Sequence, residues 1–351
     1  FTVDENGRKM SKSLGNVISP KDVTGKLGAD ILRLWVASSD YSREMSASNT
    51  IFKRTADAYR RIRNTARFLL ANMGDFNPAT DLVAPNEMLA LDRWIVHQAA
   101  ELQARILEAY DRYQFHLIYQ EVLRFCTVDL GSLFLDITKD RQYTMATNSL
   151  ARRSAQTAAY HILQAMVHWL YPITSFTAEE IWDSMPGEKT SEYVLFSAWY
   201  EGLFRLSDHE PSAINAEQWA RIFQIREAVS KQLEALRVAG TIGSSLDAEV
   251  SLYCQEDDYA LLQTLGDELR FVFLTSYASL ICVDEQSALP NNVQSADNVA
   301  NVWIQAVASS HEKCARCWHH REEVGSHTQH PTLCQRCIDN IDGDGEERLY
   351  A

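Results

Sequence analysis

Two short stretches of this 351-residue chain carry side chains whose types and spacing could do chemistry. "CARCW" at 314–318 and "LCQRC" at 333–337 set Cys314, Cys317, Cys334 and Cys337 in the order C-x2-C-x16-C-x2-C. Two knuckles of this kind offer four thiolates, the set that tetrahedral zinc takes, and they leave no open coordination position, so the ion they imply is structural. A redox pair is the other reading of C-x-x-C, although redox chemistry does not need the motif twice. His319, His320, His327 and His330 lie between the pairs, but four thiolates already complete the shell. Arg316 and Arg336 sit inside the knuckles and suit phosphate or base contacts. Trp318 either braces its knuckle or stacks on a nucleotide base, a contact worth ~1 to 3 kcal/mol.

The second stretch is "GRKMSKSLGN" at 7–16. Lys9 and Lys12, flanked by Gly7 and Gly15, suit a mobile loop that brings ammonium groups onto phosphate oxygens and stabilises charge developing on a leaving pyrophosphate. Ser11 and Ser13 add neutral hydrogen bonds. By itself such a string also reads as a solvated basic loop. A third feature lies between 53 and 67, where Lys53, Arg54, Arg60, Arg61, Arg63 and Arg67 face the single acid Asp57. At 100° per residue, Lys53, Arg60, Arg63 and Arg67 fall within an arc of roughly 80°, opposite Ile51, Tyr59, Ile62, Ala66 and Leu69. The basic face meets phosphate, or it is a solvated face paired with acids. The net charge of −14 argues against nonspecific nucleic-acid binding, so any polyanion must meet a local basic surface.

The elements that must position these residues are mainly helical. Helical periodicity runs through "GADILRLWVASSDYS", a long segment from Asn49, and further segments near 87–112, 114–137, 150–171, 177–185 and 216–239. Trp94, Phe134, Tyr160, Trp169 and Trp182 read as core aromatics. Asp129 and Asp136 read as helix-face ion-pair partners rather than an acid/base pair. "DAEVSLYC", a helix around 258–270, "LICVD" and "NVWIQAV" predict a small α/β unit, with a polar loop over 285–299. The fold class is therefore mainly α: a helical bundle, a small α/β unit and a C-terminal zinc finger with four cysteine ligands. No apolar run approaches the ~18 to 20 residues of a membrane span, and no signal-peptide order opens the chain. The odd count of seven cysteines fits metal binding in a reducing compartment, the cytoplasm, with Cys126, Cys254 and Cys282 as buried thiols.

"KMSKSLGN" followed by "ISPKDVTGKLGADILRLWVAS" resembles the second signature loop of class I aminoacyl-tRNA synthetases and the helix after it. "LDRWIVHQ", "FLDITKDRQY" and "ARRSAQTAAYHILQAMVHWLYPITSFTAEEIW" resemble the anticodon-binding bundle of the isoleucine, valine, leucine and methionine members. The terminal finger resembles that of bacterial isoleucyl-tRNA synthetases and of formamidopyrimidine-type DNA glycosylases; loop and bundle select the former.

The resemblance implies ligation of isoleucine to tRNA(Ile) with ATP and Mg2+. Lys12 would act on the phosphates, Lys9 would assist, and Ser11 and Ser13 would join them at ATP. It implies tRNA contacts at Lys53, Arg60, Arg63, Arg67, Arg152, Arg153, Arg316, Trp318 and Arg336, with Lys139 and Arg141 as further candidates in the connection before Arg152. One structural zinc, a monomer and no membrane partner complete the expectation.

The expected organisation is 1–48, the end of a catalytic domain; 49–215, the anticodon-binding bundle; 216–308, a helix plus small α/β domain; and 309–351, the finger. The family's H-x-G-H signature and editing domain are not found in this sequence. The chain is accordingly expected to be the C-terminal part of such a ligase, and inactive alone. The competing readings are a stand-alone zinc-finger tRNA-binding module, the matching part of a valine enzyme, and a DNA glycosylase. A pure binder has no reason to keep the "KMSKS" loop.

Overall fold

Apolar residues at helical spacing build most of the chain, and side-chain caps mark where some of the helices begin. In the computed structural model, which describes residues 1–209, 212–284, 289–290 and 292–351, β1 is Thr2–Val3, α1 Pro20–Leu27, α2 Ala29–Ser38, β2 Met45–Ser46 and α3 Asn49–Ala71. Then come α4 Ala90–Asp111, α5 Phe115–Arg124, a π-helical stretch Phe125–Phe134, α6 Leu135–Thr144, α7 Leu150–Leu170 and α8 Ser175–Ser184. The remainder is α9 Ala216–Val238, β3 Ala248–Cys254, α10 Glu256–Gln263, α11 Leu269–Phe273, β4 Tyr277–Cys282, β5 Gln294–Ser295, β6 Val302–Ala308 and α12 Gln335–Asp342. Ser48 caps α3 through the Ile51 N–H at 3.2 Å, and Asn215 and Gln218 close a reciprocal capping box on α9 at 2.9 and 2.8 Å. No helix among the described residues is long and apolar enough to cross a membrane.

The helix expected over 114–137 differs from its pattern. It is α-helical to Arg124, π-helical to Phe134 and α-helical again to Thr144. A Cβ at Gly131 would lie 3.1 Å from the Cys126 carbonyl oxygen, five residues back, so the wide turn there favours glycine. Lys139 and Arg141 consequently stand inside α6 and not in a connection. The polar loop expected over 285–299 contains β5, and its residues 285–288 and 291 lie outside the described residues.

The chain divides into two compact units. The first comprises 1–82, 95–134 and 156–208. Its core is aromatic: Trp169 is fully buried, donates from Nε1 to Gln103 Oε1 at 2.9 Å, and accepts at its carbonyl from the Tyr110 hydroxyl at 2.7 Å. A satellite cluster of Val23, Trp35, Ala47 and Phe52, flanked by Met10, Ile18 and Ile51, joins the opening loop, α1, α2 and the start of α3. Asp30 on α2 accepts from the Thr177 N–H and hydroxyl at 2.8 and 2.6 Å, which ties α2 to the first turn of α8.

The second unit comprises 83–94, 135–155 and 209–351. Its sheet runs β4-β3-β6-β5, with β3 parallel to β4 and antiparallel to β6. Ala248, Val250, Leu252 and Cys254 alternate inward on β3, as a one-faced strand requires. Trp94 packs on Phe223 and Trp219 of α9, with ring centroids 4.7 and 6.5 Å apart.

Within this unit Arg141 and Asp92, both 0% exposed, form a two-pronged ion pair at 2.7 and 2.8 Å. Ser154 donates to Asp92 and accepts from the Leu89 N–H at 2.9 Å, while Arg141 also donates to the Ala151 carbonyl at 3.0 Å. This pair excludes Arg141 as a phosphate contact, because its charge is already neutralised away from solvent. Breaking a buried pair strands the remaining charge and typically costs ~3 to 5 kcal/mol. Arg141→Met should therefore lower the urea unfolding free energy of this unit by about that much. A loss below about 1 kcal/mol would contradict the role given to the pair.

Candidate nucleic-acid interface and metal centre

The opening loop is built from a tight turn and a return. Asp4 N–H bonds the Arg8 carbonyl at 2.9 Å, Met10 N–H bonds the Thr2 carbonyl at 3.1 Å, and Lys12–Leu14 form a single 3-10 turn ended by Gly15 at φ +64. Ser11 Oγ and Ser13 Oγ stand 3.1 Å apart, and Ser11 Oγ accepts the Leu14 N–H. Lys9, Lys12 and Ser13 are exposed, Ser11 is half-buried, and Met10 roots the loop in the cluster that also holds Phe52 of α3.

The α3 face has the division its periodicity predicts. Ile62, Ala66 and Leu69 are buried, whereas Lys53, Arg54, Arg60, Arg61, Arg63 and Arg67 are all exposed. Arg60 pairs with Asp57, and Arg63 pairs with Glu180 at 3.2 Å. Lys53, Arg54, Arg61 and Arg67 meet no acid among the described residues. Asp129 and Asp136 pair with Arg124 at 3.0 Å and Lys139 at 2.6 Å, as helix-face carboxylates usually do.

In the second unit the four cysteine Sγ atoms are buried and lie within 4.8 Å of one another, with Cys317 and Cys334 3.6 Å apart. Tetrahedral Zn–S bonds of about 2.3 Å place sulfurs about 3.8 Å apart, so this cage fits the ion with little rearrangement. The Cys334 N–H donates to Cys314 Sγ at 3.3 Å, and hydrogen bonds from Cys317, Cys334 and Cys337 hold the Cys314 thiol far below its ordinary range. When bound, zinc cross-links the two knuckles; the imidazoles between them are engaged elsewhere, His320 with Asp247 at 3.2 Å and His330 with Asp342 at 2.7 Å. Burial pushes the Cys126 and Cys254 thiols up to about 12, as expected for inert core cysteines. Cys282, expected to be buried, is exposed at the end of β4.

The finger's arginines turn inward. Arg336 is 9% exposed and grips Asp140 with two bonds at 2.6 and 2.7 Å, and Glu346 at 2.8 Å. Arg348 reaches the same two carboxylates, and the Phe271 ring lies 3.4 Å from the Arg348 guanidinium and 5.1 Å from that of Arg336. Arg336 is therefore corrected from tRNA contact to internal anchor. Arg316 donates to the Thr144 carbonyl and is half-buried. Arg152 and Arg153 hold the α6–α7 turn: Arg152 donates to the Gln142 and Thr147 carbonyls at 3.3 and 3.0 Å, and Arg153 to Asn148 at 3.0 Å. Trp318 stands apart, 61% exposed in a left-handed backbone conformation at φ +67.

Three family models match the chain: "tRNA synthetases class I (I, L, M and V)" over 1–48, "Anticodon-binding domain of tRNA ligase" over 92–252, and "Zinc finger found in FPG and IleRS" over 312–340. Isoleucine–tRNA ligases of Thioalkalivibrio sulfidiphilus, Alkalilimnicola ehrlichii and Methylococcus capsulatus are 55%, 56% and 54% identical across 100% of this chain. The chain belongs to the isoleucine–tRNA ligase family. It spans 36 to 37% of the length of these relatives. The matched finger model begins two residues before the first cysteine, so the four-cysteine cage is the family's zinc-finger element.

Sequence reasoning missed Asp140 and Glu346 as the finger's anchors, since Asp140 and Arg336 are 196 residues apart and no local pattern joins them. Burial works to raise the Asp140 pKa, but Arg336 and Arg348 outweigh it and hold the carboxyl well below the usual range. A depressed folded pKa contributes stability that is complete above the unfolded value of about 4 and drains away as pH falls below it. Asp140→Asn should thus be less stable at neutral pH and show a flatter acid limb in urea unfolding between about pH 5 and pH 2. Identical pH dependence in the two proteins would contradict this.

Proposed function

We propose that this chain docks the anticodon side of tRNA(Ile) within an isoleucine–tRNA ligase, and lends the Lys9/Lys12 loop to activation of isoleucine by ATP with Mg2+. The observation that carries the docking role is the row of exposed cations on α3 in a protein of net charge −14. Four of those cations meet no acid among the described residues, in a chain with acids to spare, and a polyanion would supply the missing charge. Trp318 supports a base-reading role for the finger. A bulky side chain in a left-handed conformation costs about 1 to 2 kcal/mol, and here no burial compensates for it. Ser11 and Ser13 would hydrogen-bond phosphate oxygens beside the two lysines. Arg316, half-buried beside Trp318, keeps a secondary part in this reading, as do Arg152 and Arg153 on the α7 start.

Binding of the zinc-loaded chain to tRNA(Ile), and to the same tRNA with its anticodon replaced, tests the proposal at two salt concentrations. Lys53→Ala and Arg67→Ala should each weaken binding to both RNAs alike and reduce the salt slope by about 1. Trp318→Ala should cost ~1 to 3 kcal/mol, mainly on the RNA with the native anticodon. An unchanged salt slope in the α3 variants would remove that face from the interface.

A further inference from the structure

The loop that carries Lys9 and Lys12 is closed by two side chains outside its lysines and serines. Asp4 accepts from the Asn6 and Arg8 backbone N–H groups at 2.9 and 3.0 Å and from Arg8 Nε at 3.1 Å, so it is bonded across the turn before the loop. Its carboxylate also takes the Asn16 amide at 2.9 Å. Asn16 in turn accepts the Ser11 N–H at 2.9 Å and donates to the Lys9 carbonyl at 3.4 Å. One carboxamide therefore holds the backbone on both sides of Met10 and fastens it to Asp4. Gly15, at φ +64, supplies the left-handed step that brings Asn16 back to this position. Between the fastened points both lysines are exposed: the Lys9 ammonium stands over the Phe1 ring, 4.1 Å from its centroid, and the Lys12 ammonium meets no partner among the described residues. Bonds from Asn16 and then from Arg8 hold Asp4 at a pKa of about 2, so the acceptor stays charged at any working pH.

We infer that Asp4 and Asn16 form a pin that keeps Lys9–Gly15 in one shape, so that the loop swings onto phosphates as a rigid unit and Asn16 acts as a positioning residue. The inference rests on the phosphate role proposed above for the two lysines. A catalytic cation that is displaced by about an ångström loses much of its effect on the transition state while ground-state binding survives, because binding tolerates looser geometry. Loss of the pin should therefore appear in turnover more than in substrate affinity.

The test is isoleucine-dependent ATP–pyrophosphate exchange by the full-length ligase. Asn16→Ala and Asp4→Ala should each lower kcat by ~10- to 100-fold with KM for ATP changed less than about 3-fold. The double variant should be no worse than the more damaging single one, since the two side chains act as one device. Asn16→Gln, which keeps the amide but lengthens it, should lose activity in the same way, and zinc content and thermal unfolding report that the variants fold. Lys12→Ala is the control. If it loses activity while Asn16→Ala stays within about 2-fold of the parent, the pin is refuted; if Lys12→Ala has no effect, the phosphate role of the loop falls first.

Discussion

Two adjacent residues near the end of α6, Asp140 and Arg141, carry the second unit. Arg141 is sealed against Asp92 and holds the starts of α4 and α7, while Asp140 gathers Arg336 and Arg348 from the finger and the tail behind it. Isolated, either charge would be very costly to bury; paired with two-pronged geometry, each fixes the orientation of what it touches. Around Phe271 three arginines, Arg270, Arg336 and Arg348, are balanced by Asp140, Glu346 and Asp267, so the cluster is neutral overall. Glu268 then accepts the N–H groups of Leu349, Tyr350 and Ala351 at 2.8, 3.0 and 2.8 Å. Leu349 and Tyr350 give their carbonyls to the Ala90 and Leu91 N–H groups, which begin α4 and would otherwise lack partners.

This arrangement changes what the finger is. A knuckle with four cysteine ligands usually needs its metal because it has little core of its own. Here the knuckle's anchors also complete the α6 end, through Arg316 on Thr144 and Asn340 on the Ala146 N–H, and the tail behind them completes the α4 start. What remains outward is Trp318, and the inward pull on Arg336 leaves the finger fewer cations to offer a nucleic acid than its composition suggests. The basic surface lies instead on α3, where the apolar arc is fixed by packing and the opposite arc is left to charge.

Much of this is legible in the sequence, and the parts that are not share a cause. Periodicity locates α3, α4, α7, α8 and α9, and alternation locates β3, because those patterns are written within a few residues of each other. The spacing of the four cysteines gives the cage for the same reason. The π-helical stretch escapes because its signal is one glycine against one carbonyl, and Arg141 and Arg336 are misplaced because an arginine's partner can lie anywhere in the chain. Asp92, 49 residues from Arg141, looks like any acid in the first turn of a helix. Apolar neighbours suggest a buried Cys282, but it ends an edge strand where the side chain meets solvent.

The central claim is that the finger and the helix starts around Asp140 fold as one device. Hydrogen exchange of single amides, with zinc bound and after chelation, tests it most directly. The account predicts faster exchange on zinc removal not only within 312–342 but also at Ala90, Leu91 and Ala146, whose N–H groups are held by the finger and its tail, and at 349–351, where the tail itself is held by Glu268. Loss of protection confined to 312–342, with those amides unchanged, would contradict it.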